Sequence, residues 1–276
     1  MKKKLAIITG CDSGIGFSLC KLMALNGFSV AASYLEHDPF PSKKNIFSCK
    51  MDIRKEKEID NFTVFVKEYC NNGYSLDCLI NNAGVALGGP VENLPMKIFR
   101  ENFEVNFFGL VSLTKKLIPL LIQSSGRILI IGSMAGRIAL PFLSPYVSTK
   151  FALEGFSDSL RRELLPFGIK TVLIEPGGIA TPIWNKSKKQ DKSFVDKKYK
   201  KSLNIFIEKF IESGNSGMDV EKAAKHILKI INKKNPKGRY IVAENRFTTF
   251  LPMLIPRRII DKLFLKNFKM NYGKIE

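Results

Sequence analysis

Leu5-Ala6-Ile7-Ile8-Thr9-Gly10-Cys11-Asp12-Ser13-Gly14-Ile15-Gly16 decides the fold. Four apolar residues stopped by Thr-Gly read as a buried strand. Beyond Gly16, the apolar positions Leu19, Leu22, Met23 and Leu25 recur at helical spacing, so a helix runs from about Gly16 to Asn26 and Gly27 ends it. The glycines between them let the backbone turn tightly and approach a ligand with no Cβ in the way. A helix N-terminus carries unpaired N–H groups and a dipole that favours negative charge. Gly10, Asp12, Ser13, Gly14, Ile15 and Gly16 are therefore candidates for binding a pyrophosphate. The spacing is G-x-x-x-G-x-G, which by itself does not identify a reaction.

Further along, the alternation continues. Ser29 to Tyr34 and Ile46 to Met51 read as strands, the second ending at Asp52. A helix carries Ile59, Phe62, Val66 and Tyr69. Leu79-Ile80 runs into Asn81-Asn82-Ala83-Gly84. A long helix covers about 96 to 122, a strand Arg127 to Ile131, a helix about 145 to 165, and a strand Thr171 to Ile174. Strands that are apolar throughout, separated by helices, predict an α/β fold: a doubly wound parallel sheet, Rossmann-like, covered on both faces. After Pro182 the pattern breaks. Residues 185–217 are rich in Lys, Ser and Asn and predict a mobile flap with one or two short helices. A helix from about 219 to 233 and a strand at Tyr240 to Val242 follow. The expected organisation is one catalytic domain over 1–244, flap included, and an apolar and basic tail over 245–276.

The bulk composition narrows the class. At 276 residues, 45% apolar and 25% charged, the chain suits one soluble globular domain. No apolar run reaches the roughly 18 residues that span a bilayer, and the start reads as a strand rather than a signal peptide. The five cysteines, 11, 20, 49, 70 and 78, are odd in number and contain no C-x-x-C pair, which points to a reducing compartment, read as cytoplasmic. With only His37 and His226, no metal is expected. The net charge is +19, and residues 185–276 hold 23 Lys/Arg against 9 Asp/Glu. A solvated lysine-rich surface and attraction to anionic lipid, substrate or nucleic acid are both open readings. No nucleic-acid motif accompanies the charge.

The chemistry centres on Ser133, Tyr146 and Lys150. Ser133 follows a strand end, where ligands bind in such sheets. Tyr146 and Lys150, at i and i+4, share one helix face. Oxidising an alcohol takes a hydride from carbon and a proton from oxygen. A free tyrosine, with pKa about 10, is a poor base. An adjacent ammonium and a positive nicotinamide favour the phenolate, and the reverse reaction needs the same phenol as an acid. Ser133 would hold the substrate oxygen near the tyrosine.

With these residues in place, the sequence resembles the short-chain dehydrogenase/reductase family over about residues 5–184, and with less force to about 242. The resemblance rests on T-G-x-x-x-G-x-G at 9–16, Asp52, N-N-A-G at 81–84, Asn106, Ser133, Tyr146, Lys150, Pro176-Gly177 and Thr181. Residues 151–164 and 175–182 resemble the retinol and hydroxysteroid dehydrogenase branch. The resemblance implies that Asp52, with Ile53 in the cofactor set, caps or contacts adenine. It implies that Asn82, Ala83 and Gly84 line the adenosine side. It implies that Asn106 holds a water at a helix irregularity, linking Lys150 to solvent. It implies that Lys150 also bonds the nicotinamide ribose, and that Pro176, Gly177, Ile179 and Thr181 cover the nicotinamide.

The expected activity is hydride transfer between NAD(P) and an alcohol/carbonyl pair. The expected rim of Leu140, Phe142, Leu143, Pro176 and Trp184 suits a steroid-, retinoid- or lipid-like substrate. The alternative is a non-catalytic dinucleotide-sensing or scaffold protein on the same fold. At the second strand end, Tyr34 and Leu35 stand where an acid marks NAD or a base marks NADP. With no arginine placed for a phosphate, NAD is favoured. The resemblance implies pairing through the two long helices, about 96–122 and 145–165, as a homodimer or homotetramer. The tail reads as an amphipathic helix, with Ile259, Ile260, Leu263, Phe264 and Phe268 as one stripe. It either packs over the substrate mouth or a partner subunit, or lies on an anionic membrane.

Overall fold

The computed structural model describes residues 2–188 and 190–270, without the side chains of 186–188. Lys189 of the expected flap and residues 271–276 of the expected tail lie outside the described residues. The chain runs β1 (Lys3–Ile8), α1 (Gly14–Leu25), β2 (Ser29–Tyr34), β3 (Ile46–Lys50), α2 (Glu56–Asn71) and β4 (Tyr74–Asn81). It continues through α3 (Met96–Phe103), a π-turn (Glu104–Phe108), α4 (Gly109–Ser124), β5 (Arg127–Ile131), α5 (Ser144–Leu164) and β6 (Lys170–Pro176). Then come α6 (Ile183–Lys188), α7 (Lys197–Asn215), α8 (Val220–Ile231), β7 (Arg239–Val242), α9 (Arg246–Phe250) and α10 (Arg257–Asn267).

Seven parallel strands form one sheet in the order β3-β2-β1-β4-β5-β6-β7. The order reverses between β1 and β4, which opens a crevice at their carboxyl ends, the place where such sheets bind ligands. Each strand alternates its side chains between two cores. On one face Ile8, Val30 and Ile80 meet Leu19 and Met23 of α1 and Ala223 and Ile227 of α8. On the other, Ile7, Leu79 and Ile128 meet Phe62 of α2, Leu113 and Leu117 of α4 and Leu160 of α5. This explains why the strands read as continuous apolar runs: both faces are covered.

The long helix expected over 96–122 is present as α3, the π-turn and α4, 29 residues in all. Its length and mean hydropathy of 1.5 would allow it to cross a bilayer. Instead Leu110, Leu113, Leu117 and Leu121 are buried against the sheet. β4 starts at Tyr74, five residues before the expected strand. Ser75 and Asp77 look like loop residues, yet Tyr74–Leu76 and Cys78–Ile80 pair with β1, and only Asp77 is skipped, at a shift of register.

Two expectations need correction. The flap is not a loop with short helices: α7 is a helix of 19 residues. Lysines and serines hide its pattern, but Leu203, Phe206 and Phe210 recur on one face and pack with Phe142, Leu143 and Val147. The tail stripe also divides. Phe264 and Phe268 stack on the α7 cluster, and Ser202 Oγ donates to the Lys269 carbonyl at 3.0 Å. Ile259 and Leu263 point to solvent.

Leu113, fully buried between α4 and the sheet, reports on this packing. Leu113→Ala should lower stability by about 2–5 kcal/mol in urea denaturation, without a change in the m-value.

Candidate active site

Thr9 ends β1 with its hydroxyl turned across the crevice. Its Oγ1 accepts from the backbone N–H of Asn82 and of Ala83, both at 3.0 Å, and Asn82 Nδ2 donates back to the Thr9 carbonyl at 2.8 Å. Gly16 packs beneath the turn: a Cβ there would stand 2.4 Å from the Gly10 carbonyl oxygen and 2.5 Å from Asn82 Nδ2. Gly10 itself has φ +68°. The turn therefore lies flat against β4, and α1 begins directly under the crevice. Ser13, at the N-cap, makes no side-chain cap bond, so the first N–H groups of α1 face the crevice for an anion. Asp12 is turned sideways, where its carboxylate accepts from Leu35 N and Glu36 N at 3.0 Å each. That bond fixes the loop after β2. The cradle fits a dinucleotide pyrophosphate.

At the other end of the cleft, β5 delivers Ser133 and α5 delivers Tyr146 and Lys150. Ser133 is extended and caps the short turn after it by accepting from Ala135 N at 3.1 Å. Its side chain also hydrogen-bonds the Tyr146 phenol. Lys150 is buried; its Nζ donates to the Ile131 carbonyl at 3.0 Å and lies 5.6 Å from the centre of the Tyr146 ring. Burial pulls the ammonium down to about 8. Burial also pushes the phenol up, against a smaller downward pull from Ser133. In the protein by itself this opposes the lowered phenol expected from the residue pair. Each ion is costly alone in a desolvated site, so a phenolate there depends on positive charge placed beside it.

One cleft joins the two ends. It is lined by Gly10 and Asp12–Ile15, by Asp52–Arg54, by Asn82–Leu87, and by Ser133, Tyr146, Lys150, Pro176, Gly177, Ile179 and Thr181. Residues 4–192 match the family described as short chain dehydrogenase. The chain belongs to the short-chain dehydrogenase/reductase family. It is 37% identical over 268 residues to an uncharacterized oxidoreductase, YusZ, of Bacillus subtilis (strain 168), covering 91% of this chain and 93% of that protein. It is 35% identical over 275 residues to the NADPH-dependent 3-dehydrocapnine reductase of Ornithobacterium rhinotracheale, covering 96% and 97%. Among solved structures, a short chain dehydrogenase/reductase from Burkholderia phymatum in complex with NAD superimposes with a TM-score of 0.79 at 16% identity, covering 95% of each chain. This dehydrogenase is thus an NAD(P)-dependent oxidoreductase acting on alcohol or carbonyl groups.

Of the dehydrogenase's expected site residues, two stand away from the cleft wall. Gly16 serves the close packing just described. Asn106 lies in the π-turn, where its Oδ1 accepts from Val85 N at 2.8 Å and its Nδ2 donates to the Val85 carbonyl and to Thr149 Oγ1. It ties the segment after β4 to α5 one residue before Lys150. Asp52 is engaged by Arg54, whose Nε and Nη2 donate to its two oxygens at 2.9 and 2.7 Å. That guanidinium holds the Asp52 carboxyl below the usual range. Sequence reasoning missed Arg54, which lines the cleft beside Asp52. Its signal was the Asp-x-Arg spacing. Of the expected rim, Pro176 and Trp184 line the main cleft. Phe142 and Leu143 line a small adjoining pocket with Phe206 and Phe210, and Leu140 packs against the same cluster.

A buried carboxyl pair also escaped notice. Glu154, one turn past Lys150, lies beside Glu175 of β6. Arg137, from the turn after Ser133, pairs with Glu175 at 3.1 Å, and Arg239 of β7 reaches Glu154 at 3.2 Å. Neither Glu154 oxygen has a hydrogen-bond partner in good alignment among the described residues. Burial, and then Glu175, push Glu154 up to about 7. The folded pKa exceeds the unfolded value of about 4.5, so this group's stabilising contribution is present below pH 4.5 and lost as pH rises through 7. Glu154→Gln cannot ionise. Its melting temperature relative to the native enzyme should therefore rise between pH 5 and pH 8; parallel curves would refute the assignment.

Proposed function

We propose that this enzyme interconverts a lipophilic secondary alcohol and its ketone, with Tyr146 as general acid/base and NAD(H) as the preferred cofactor. The observation that carries the reading is Ser133 beside the Tyr146 phenol, with the Lys150 ammonium 5.6 Å from that ring, at one end of a cleft whose other end is a pyrophosphate cradle. When bound, the nicotinamide supplies or accepts the hydride. Ser133 positions the substrate oxygen by hydrogen bonding, and Tyr146 takes its proton during oxidation or returns it during reduction. Lys150, one helical turn away, supplies the charge that offsets the phenol's burial. The π-turn at Asn106 interrupts the regular helix, which suits the water relay that the family resemblance implies.

The lipophilic reading rests on the walls. Val85, Ala86, Leu87, Ile183 and Trp184 surround the Tyr146 end, and Ala86 continues into the adjoining pocket of Phe142, Leu143, Leu203 and Phe206. Such walls reward apolar surface and offer few partners to a polar chain. Phe142 has φ +62°, and its carbonyl accepts from Gly89 N at 2.7 Å. That bond holds an uncommon backbone state beside the site.

The cofactor reading rests on the adenosine end. Arg54 is the one Lys or Arg lining it among the described residues, and Asp52 occupies its guanidinium. Asp12 and Glu36 stand there as acids. A 2′-phosphate would face negative charge without a free bidentate partner. The NADPH-dependent relative shows that the opposite preference occurs nearby in sequence.

Tyr146→Phe should abolish turnover, by about a hundredfold or more, while cofactor affinity by fluorescence titration stays within a few-fold; retained turnover would end the mechanism. Steady-state kinetics with both cofactors should give the higher kcat/KM for NAD(H), and a tenfold preference for NADP(H) would reverse the reading of the adenosine end.

A further inference from the structure

The carboxyl-terminal segment carries a surface that the reaction does not use. α9 and the 3-10 turn after it, Leu251–Leu254, lie against the back of the cleft wall. Thr249 faces inward: a Cβ added to Gly177 would stand 3.5 Å from Thr249 Cγ2. The opposite side holds Phe247, Phe250, Leu251 and Leu254, which are 72%, 40%, 44% and 67% exposed. Their spacing, i, i+3, i+4 and i+7, makes one continuous stripe. An amphipathic helix normally turns such a stripe to the core; here it faces water.

α10 extends the surface. Its inward side chains, Phe264 and Phe268, are used on α7. Ile259 and Leu263 remain exposed, beside a basic row of Arg258, Lys262 and Lys266 one turn apart. Over residues 245–270 the charge is Arg246, Arg257, Arg258, Lys262, Lys266 and Lys269 against Asp261 alone. Exposed aromatic and aliphatic side chains interleaved with cations match the headgroup boundary of an anionic bilayer, apolar tips below the phosphates and ammonium groups level with them. A second copy of the chain fits poorly. A two-fold dimer opposes the same patch to itself, here six cations to six.

We propose that the α9–α10 surface docks this enzyme on an anionic lipid bilayer. The lipid contact lies on the side of the protein where α9 backs the cleft wall at Gly177 and α10 covers the flap helix α7. It stands independently of the substrate reading, because it rests on exposure and charge rather than on the pocket.

The test is co-sedimentation of the full-length protein with phosphatidylcholine vesicles and with vesicles containing phosphatidylserine. Binding should be confined to the phosphatidylserine vesicles and weaken with added salt. Lys262→Glu/Lys266→Glu should lower partitioning by about tenfold or more. Phe247→Ser/Leu254→Ser should also lower it, with melting temperature and solution turnover unchanged because these side chains are already in water. Absence of binding to anionic vesicles, or undiminished binding by both double variants, overturns the proposal. So does light scattering showing a native oligomer that Phe247→Ser/Leu254→Ser converts to monomer, which would assign the patch to a second copy.

Discussion

Where β1 and β4 part, a single threonine hydroxyl bridges them. Thr9 Oγ1 accepts two successive N–H groups of the Asn82-Ala83 segment, and Asn82 returns a bond to the Thr9 carbonyl. Backbone groups that leave a sheet edge need partners once water is excluded. This clasp supplies them without closing the crevice with a strand. The glycine turn rests on it, α1 begins above it, and Asp12 reaches from it to the loop after β2. Much of the cofactor half of the cleft therefore depends on one local solution to the hydrogen bonding of two diverging strands.

The catalytic half meets a different constraint, the cost of burying charge. Lys150 is buried and Tyr146 partly so, and burial moves each away from the ionised form. A charge on either is favoured only where an opposite charge stands beside it. Asn106 and Thr149 hold α5 to the segment after β4, so the lysine's helix cannot drift from the cofactor half. On the far side, Glu154, Glu175, Arg137 and Arg239 join α5, β6, β7 and the turn after Ser133 by ion pairs.

The flap and tail obey packing rather than hydrogen-bond constraints. Phe206, Phe210, Phe264 and Phe268 form an aromatic cluster that α7 and α10 build together. At 11 residues, α10 is short for a helix that stands alone, so it depends on this packing. Their association leaves α9 and one side of α10 with apolar side chains in water.

Strand and helix order, the parallel sheet, the glycine turn and the Ser133-Tyr146-Lys150 set were legible from residue order alone. Each is written in local patterns: apolar runs, helical periodicity, and fixed spacing on one helix face. The 19 residues of α7 were not, because lysines mask a stripe that is decided by contact with Phe142 and Leu143, far away in the chain. The division of the tail stripe, with Phe264 inward and Leu263 outward, needed the position of α7 for the same reason. Arg54 on Asp52, the carboxyl pair and the upward shift of the Tyr146 phenol belong to the tertiary structure too. Charge energetics depend on distance and on exclusion of water, and neither is a property of residue order. The sequence determined which elements form and which side chains can do chemistry; only the packed fold decided how much water each keeps, and so which charge each bears.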